Sequence, residues 1–371
     1  MSAVTGAPSV GAKFCGPSHD TGFRAHIAST VQAPLRFGLK VGLLDGTTVR
    51  LRPDNDIPKQ FPAHRPGNCK KEPYWCLARI VGVFCSATGC AVDSVMDAVQ
   101  TSEQALSAVM LKSRWENWLL VAGRNFGVCS VVRSAAAAQA HALFRLTEVR
   151  AAKLARSTGL KLRCGLDAPM AWEPSRHDQC AEGLTRAPVP GRLLALRLQR
   201  RGFRAMTLYL FTTLADPVKY PAQEMARLCG ERWNVELCFR YVKDQMELGF
   251  LECRSAAMAR KEWLAGLIAY NLIRWMMAAA AASARVPVRI LSFSRARELL
   301  LGWWIRSSER GGTPASFVRL LERIARARLP KRRKRRPSEP RAIRVFNKDV
   351  GKLEGSRAPA REKLAKLNAK S

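Results

Sequence analysis

Apolar residues along the chain fall into two periodic patterns, short strand-like runs in the first part and long helical stripes in the last third. Runs that are continuous or alternating over a few residues predict strands, whereas stripes recurring every three or four residues predict helices. Strands are predicted near 39–44, 75–84, 90–96, 118–122, 143–146, 193–198 and 207–212. Helices are predicted near 101–115, 130–142, 221–248, 256–284, 293–304 and 315–328.

The order of these elements predicts the fold class. A strand, a hairpin, a helix, a strand, a helix and another strand precede a β-rich segment and then several helices, which favours an α/β fold with a mixed sheet flanked by helices. We predict an irregular leader (1–37), the first part of the main domain (38–146), a β-rich insertion (147–217), a helical second part (218–328) and a basic disordered tail (329–371).

The predicted helix over 221–248 carries two distinct faces. Its apolar stripe consists of Leu228, Val235, Phe239, Val242 and Met246. Another face carries Cys229, Arg232, Glu236, Arg240 and Lys243. A row of charged residues on a helix face is usually a solvated surface with ion pairs. The spacing alone therefore leaves that interpretation open beside a functional one.

Charge changes the range of functions that the chain can have. Lys and Arg total 62 against 29 Asp and Glu, giving a formal net charge of +33. This excess is typical of proteins that bind a polyanion, with nucleic acid as the first candidate. A ribosome-associated protein or a basic protein at a membrane surface would show the same balance.

Cysteine usage and the longest apolar segment argue against two other classes. The 11 cysteines include no Cys-x-x-Cys pair, so we expect reduced, mostly buried thiols in a cytoplasmic protein. The apolar stretch 263–284 is interrupted by Asn271 and Arg274, which favours a core helix over a membrane span.

Four ordered motifs together resemble a known family, one of them being the sequence on either side of the helix, at 208–214 and 261–272. Arg232-Trp233, Glu236 and Lys243 are similar in type and spacing to the Tyr-x-x-Arg-x-x-x-Glu-x-x-x-x-x-x-Lys signature of insertion-sequence transposases related to insertion sequence four. Upstream, Asp45-Gly46-Thr47-Thr48 resembles the first catalytic motif of that family, and Arg124-Asn125-Phe126-Gly127 resembles the segment after the second. The resemblance runs from about residue 40 to the tail.

The resemblance implies a ribonuclease-H-like fold and metal-dependent cleavage and transfer of DNA strands by a DDE-type mechanism. It implies two Mg²⁺ (or Mn²⁺) ions held by three carboxylates, of which Asp45 and Glu236 would be two. The residues implied to bind DNA are Arg232, Lys243, Arg240 and Arg124. The implied partners are double-stranded DNA, at the transposon ends and the target, and a second copy of the chain on DNA, with no membrane and a cytoplasmic, nucleoid-associated location.

The chain departs from the family pattern at three points. Gly123 stands where the second carboxylate should precede Arg124, and Cys229 stands where the signature has Tyr. Asp45 also comes too early to leave room for the N-terminal DNA-binding domain that the family usually carries, which suggests a truncated or miscalled start. We therefore expect an impaired copy that supports little or no strand transfer.

Other interpretations stay open at this stage. The alternative to an impaired enzyme is a noncatalytic DNA-binding remnant or a regulator of intact transposases. His177-Asp178 could belong to a hydrolase or metal site, although a turn is the simpler explanation, and the cluster at 331–336 could be a DNA clamp or a solvated arm. A ribosome-associated protein would not bring Asp45, Gly123 and Glu236 together in space, so their convergence is the discriminating observation.

Overall fold

The computed structural model describes residues 35–63, 74–174, 187–198, 206–330, 342–343, 350–351 and 355–369. Three sequence predictions concern residues outside these ranges. They are the leader up to residue 34, the His177-Asp178 pair and the basic cluster at 331–336.

A nine-stranded mixed sheet forms the centre of the protein, with the order β3-β2-β1-β4-β5-β8-β7-β6 and with β9 beside β1. The strands are β1 Lys40–Leu51, β2 Cys76–Cys85, β3 Ala91–Ala98, β4 Trp118–Ala122, β5 His141–Arg145, β6 Asp167–Trp172, β7 Val189–Leu198, β8 Met206–Thr212 and β9 Phe250–Leu251. The first three strands are antiparallel neighbours, whereas β4 and β5 run parallel to β1. This mixed sheet flanked by helices confirms the predicted α/β class and is consistent with the ribonuclease-H-like fold that the resemblance implies.

Helices connect and cover the strands. They are α1 Ile57–Gln60, α2 Glu103–Met110, α3 Cys129–Ala137, α4 Glu148–Ser157, α5 Ala222–Glu231, α6 Trp233–Arg240, α7 Ala256–Ser283, α8 Phe293–Arg310 and α9 Pro314–Arg326. Ser102 caps α2 by accepting a hydrogen bond from the backbone N–H of Ala105, as the Ser/Thr start signal predicts. This helix ends at Met110, earlier than the apolar pattern predicted.

The two faces of β1 lead to different halves of the core. Leu43 packs in the cluster that contains Phe239 of α6 and Trp263 of α7, whereas Leu44 packs in the cluster that contains Leu106 of α2. Because side chains alternate along a strand, Asp45 shares the face of Leu43 and position 46 shares the face of Leu44. The candidate carboxylate therefore faces α6.

The segment predicted as a β-rich insertion, 147–217, begins with the helix α4 and contains β6, β7 and β8. These strands lie beyond β5 in the main sheet. The chain divides into two compact units, residues 1–196 with 207–329 and residues 197–206 with 330–371. In the second unit the described parts include an antiparallel pair, β10 Ala342–Ile343 and β11 Val350–Gly351, and the helix α10 Arg357–Ala369.

The long helix α7 buries two polar side chains among apolar ones. Asn271 accepts a hydrogen bond from the backbone N–H of Ala91 at 2.7 Å and donates to its carbonyl at 2.9 Å. Arg274 donates to the Tyr270 hydroxyl at 2.9 Å and lies 5.1 Å from the ring centroid of Phe293. By length and composition alone α7 could cross a membrane, but its buried face and satisfied polar groups support the prediction of a core helix.

Candidate functional site

Asp45 lies within β1, at the point where the parallel partner strand ends. The strand predicted near 39–44, which would leave Asp45 at or near its end, is longer than predicted, because β1 continues to Leu51 along β2 and Asp45 itself is paired with Gly82. Pairing with β4, however, stops at Leu44 and Ala122. The loop that begins at Gly123 therefore leaves β4 beside Asp45, and the sheet is open there on one side of β1.

Arg232 joins the three positions that the sequence singled out. Its Nη1 donates to Asp45 Oδ2 at 2.8 Å, and its Nη2 lies 3.4 Å from Glu236 Oε1. A Cβ added at Gly123 would lie 3.7 Å from Cζ of the same guanidinium. The end of the β1–β4 pair, the Gly123 loop and the Glu236 helix thus converge around one side chain.

The helical segment that supplies Arg232 and Glu236 is less regular than predicted. Arg232 separates α5 from α6, and a π-helical turn, Tyr241–Gln245, follows α6. A π turn widens the helix by one residue per turn, so residues after Arg240 depart from the rotation of 100° per residue that the sequence argument used. Lys243 nevertheless faces the site, with its Nζ 3.4 Å from Thr47 Oγ1.

Further arginines surround this centre. Arg124 is exposed in the loop after β4, and its carbonyl accepts a hydrogen bond from Arg150 at 2.6 Å. Arg240 is exposed at the end of α6. Sequence reasoning missed Arg145, the last residue of β5, whose pKa is lowered by burial and by the nearby charges of Arg124 and Arg232. Among the described residues, several arginines therefore lie around the two carboxylates Asp45 and Glu236.

Cys229 lies beside this basic group but is buried in the core. Burial raises the pKa of its thiol, while the charges of Arg145 and Arg232 act in the opposite direction. The side chain is therefore a packing group, unlike the Tyr that the family signature has at this position.

A third carboxylate, which the sequence analysis did not identify, lies on the other side of β1. The Glu103 side chain rests against Gly46 so closely that a Cβ at position 46 would collide with its carboxylate. Asn125, in the loop after β4, donates from Nδ2 to Glu103 Oε2 at 2.5 Å. No local motif marks Glu103, because the contact depends on the packing of α2 against the sheet.

The electrostatic balance at Asp45 is unfavourable for its ionised form. Burial raises the pKa of the Asp45 carboxyl, and the charges of Glu103 and Glu236 add to that effect. The Arg232 guanidinium and the Gly46 N–H, which donates to Asp45 Oδ1 at 3.0 Å, lower the pKa without cancelling the rise. Asp45 is therefore a carboxylate with a raised pKa, and the charges of Glu103 and Glu236 contribute to that rise. Perturbed pKa values of this kind are common at functional sites.

This balance gives a stability prediction. A carboxyl whose folded-state pKa is raised contributes stability below its ordinary pKa, and that contribution is lost as the pH rises through the raised value. Ionised Asp45 therefore costs stability at neutral pH, and Asp45→Asn should melt no lower than the unchanged protein in thermal unfolding without metal. Asp216→Asn is the control and should lower the melting temperature, because backbone hydrogen bonds from Lys219 and Val218 favour the ionised carboxylate and lower the pKa of Asp216. A clearly lower melting temperature for Asp45→Asn would show that its ion pair with Arg232 outweighs the cost of burial.

The donor chemistry suits a hard cation in part. Carboxylate oxygens are the ligands that Mg²⁺ prefers, and Asp45 and Glu236 direct theirs at one positive group, the Arg232 guanidinium. Within the described ranges, no three His, Cys, Asp or Glu residues are grouped so that they could hold a metal ion. The arrangement thus offers two converging carboxylates, with glycine at the position where a third was expected.

Comparisons with known proteins give the following similarities. The family model described as "Transposase DDE domain" matches residues 36–272, which contain this whole site. A curated relative, "Transposase InsG for insertion sequence element IS4" from Escherichia coli (strain K12), is 23% identical over 327 residues, covering 83% of this chain and 68% of the relative. Among solved structures, the piggyBac transposase synaptic complex with hairpin DNA is 13% identical with a TM-score of 0.44; the match covers 82% of this chain and spans 60% of the length of that one.

Proposed function

The chain belongs to the transposase DDE domain family. On that premise we propose that it acts on the DNA of an insertion sequence by metal-dependent strand cleavage and transfer. We further propose that this reaction is impaired in this chain because position 123 is glycine. The carrying observation is the convergence of Asp45, Gly123 and Glu236 around Arg232. A ribosome-associated basic protein has no reason to assemble this arrangement. Family membership and geometry therefore support the same site.

In this proposal Asp45 and Glu236 hold the divalent metal that the family uses, with Mg²⁺ or Mn²⁺ as the suitable ions. When bound, such ions stabilise the charge on the attacking and leaving oxygens of a phosphoryl displacement. Asp45 is fixed by its place inside β1 and by the Gly46 N–H, so it has little freedom to move. Glu236 is half exposed on α6 and can adjust its position.

The basic side chains would bind and orient the DNA backbone. Arg232 contacts both carboxylates and Lys243 contacts Thr47 on the strand of Asp45, while Arg124 and Arg240 are exposed to solvent. A phosphate is a strong competitor for a guanidinium, because arginine–phosphate contacts are charge-assisted and can be bidentate. DNA phosphates arriving at the site would therefore draw Arg232 away from Asp45 and Glu236 and leave both carboxylates free.

The impairment follows from the missing side chain at position 123. Two carboxylates hold a cation less well than three, and the loop after β4 offers no acid of its own. Gly123 equally favours a second candidate function, a noncatalytic DNA-binding remnant that regulates intact transposases. In both candidates the chain binds double-stranded DNA as a dimer at the nucleoid. They differ in whether the bound DNA is cleaved, which only the impaired enzyme would do.

The DNA-binding part of the proposal predicts a salt effect. Lys243→Gln should weaken binding to a duplex carrying the insertion-sequence end and lower the slope of log affinity against log salt by about one, as expected for one lost phosphate contact. Filter binding or fluorescence anisotropy over a range of salt concentrations measures this slope. Arg227→Gln is the matched control, because Arg227 is ion-paired with Glu224 on α5. Equal slopes for Lys243→Gln and the unchanged protein would remove Lys243 from the DNA interface.

A further inference from the structure

A cluster of aromatic rings lies at the end of β1 that is farther from Asp45. Tyr74 and Trp75 come directly before β2, and their ring centroids lie 4.8 Å apart. The ring of Trp75 also contacts that of Phe250, the first residue of β9, at 4.9 Å between centroids. Tyr74 is 68% exposed and Trp75 is 37% exposed. Single exposed apolar side chains are ordinary, whereas a group of them marks a binding surface.

Positive side chains accompany these rings. Cζ of Arg52 lies 5.7 Å from the ring centroid of Phe250. The two segments that flank the rings, 50–61 and 250–262, contain six lysines and arginines against four acids. Two of these acids accept hydrogen bonds from backbone N–H groups, which uses part of their charge within the fold. Rings beside cations suit a nucleotide, because its base stacks on the ring while its phosphate binds the cation.

Strand β1 connects the aromatic cluster with the candidate functional site. Lys243 contacts Thr47 of β1, and its carbonyl accepts a hydrogen bond at 3.2 Å from Gly249, the residue before β9. Strand β9 in turn pairs with the end of β1. Asp45 and Arg52 are seven residues apart, which is roughly 23 Å along an extended strand. A DNA strand that leaves the carboxylates can therefore pass Lys243 and reach the rings.

The geometry of the rings favours a particular state of the DNA. The interplanar angles of the Tyr74–Trp75 and Trp75–Phe250 contacts are 84° and 77°, so the rings do not cover each other face to face. In a duplex each base is covered by its stacked neighbours, and an enzyme must take a base out of the stack to reach its face. The rings are therefore suited to unpaired nucleotides.

We propose that Tyr74 and Trp75 form a stacking platform for unpaired nucleotides of the DNA strand that passes through the site, with Arg52 binding an adjoining phosphate. The inference rests on the proposed function, since it extends the DNA path of the same site. Phe250 supports the ring of Trp75. The basic side chains nearer Asp45 bind the duplex, and the platform binds the strand where its bases are unpaired.

A purely structural role for the rings makes a different prediction. Trp75 and Phe250 pack together where β2 and β9 lie on either side of β1, so replacing either ring would also disturb the fold. Tyr74 is the most exposed of the three rings, so its replacement changes the surface with little loss of packing. Tyr74→Ala removes the ring, whereas Tyr74→Phe keeps the ring and removes only the hydroxyl. Stacking predicts that the two variants differ in DNA binding.

The first test measures the affinity of the full chain for a short single-stranded oligonucleotide and for a blunt duplex, by fluorescence anisotropy at one salt concentration. Tyr74→Ala should weaken single-strand binding between about fivefold and a hundredfold, as the loss of one base–aromatic stack does. Tyr74→Phe should bind nearly as the unchanged chain does, and both variants should keep the duplex affinity. Trp304→Ala is the matched control, because Trp304 is a similarly exposed ring, at 65%, on α8.

Photocrosslinking locates the bases directly. Irradiation of an oligonucleotide that contains iodouracil joins the base to an aromatic side chain stacked on it, and mass spectrometry of the peptides identifies that residue. We expect crosslinks at Tyr74 or Trp75. Crosslinks confined to other residues, such as the exposed Trp233 beside Arg232, would overturn the platform.

The affinities separate this inference from the proposed function. Equal single-strand affinities for Tyr74→Ala and the unchanged chain would overturn the platform, while duplex binding that depends on Lys243 would leave the proposed function standing. A chain that binds neither the single strand nor the duplex would contradict both proposals.

Discussion

Replacing Gly123 with aspartate should increase metal-dependent cleavage of the insertion-sequence ends by on the order of a hundredfold, because a well-placed metal ligand contributes several kcal/mol and about 1.4 kcal/mol is a factor of ten in rate. The structure has room for this side chain. A Cβ at position 123 would meet Arg232 at 3.7 Å, an ordinary contact distance, and no strained backbone angle opposes it. The new carboxylate would lie beside Asp45 at the end of β4.

The measurement is the rate of strand cleavage in a labelled duplex with Mg²⁺ or Mn²⁺, for the unchanged protein and for Gly123→Asp. Gly123→Asn is the control, since it has nearly the same shape without the charge. A gain for aspartate alone supports the assignment of position 123. An equal gain for asparagine would attribute the effect to packing of the loop. No gain in either cleavage or metal affinity would contradict the site assignment.

The sheet and the converging positions were predictable from the sequence because both depend on local patterns. Apolar runs predicted β2, β3 and β4, and the Ser-Glu start signal predicted α2. The motifs that resemble the family are each short and continuous in the sequence, so they were recognisable without knowledge of their contacts. Once the order of the elements predicts the fold class, these motifs are expected to meet.

Details that depend on pairing between distant segments were not predictable. Asp45-Gly46 has the composition of a turn, yet pairing with β2 carries the strand on to Leu51. The break at Arg232 and the π turn Tyr241–Gln245 leave no signal in the helical period. In each case tertiary contacts override a local preference, as hydrogen bonding to a neighbouring strand or packing against the sheet often does.

The residues that sequence reasoning missed are near the site only because of contacts between elements that are distant in the sequence. Glu103 looks like an ordinary acid in the first turn of a helix, where acids are favoured by the helix dipole. Arg145 looks like the end of a short strand. Their proximity to Asp45 and to Arg232 follows from the order of β1, β4 and β5 in the sheet. Neither could be chosen from among the many charged residues of the chain beforehand.

The second prediction with a large effect is that iron bound in place of the family metal will cleave the polypeptide next to the metal site. Ferrous iron that replaces the family metal generates short-lived radicals with ascorbate and peroxide, and these cut the polypeptide next to the site. We expect cuts close to residues 45, 123 and 236, because Arg232 brings these three positions together. Asp45→Asn and Glu236→Gln should each eliminate all of these cuts. Glu224→Gln should leave these cuts unchanged, because Glu224 pairs with Arg227 on α5 and not with Arg232.

Iron-directed cleavage of the unchanged chain and of these variants is the most direct test of the central claim that Asp45, position 123 and Glu236 form one metal-dependent site. The account predicts three sets of fragments that disappear together in Asp45→Asn and in Glu236→Gln. Fragments that persist in both variants, or cuts confined to other parts of the chain, would contradict it.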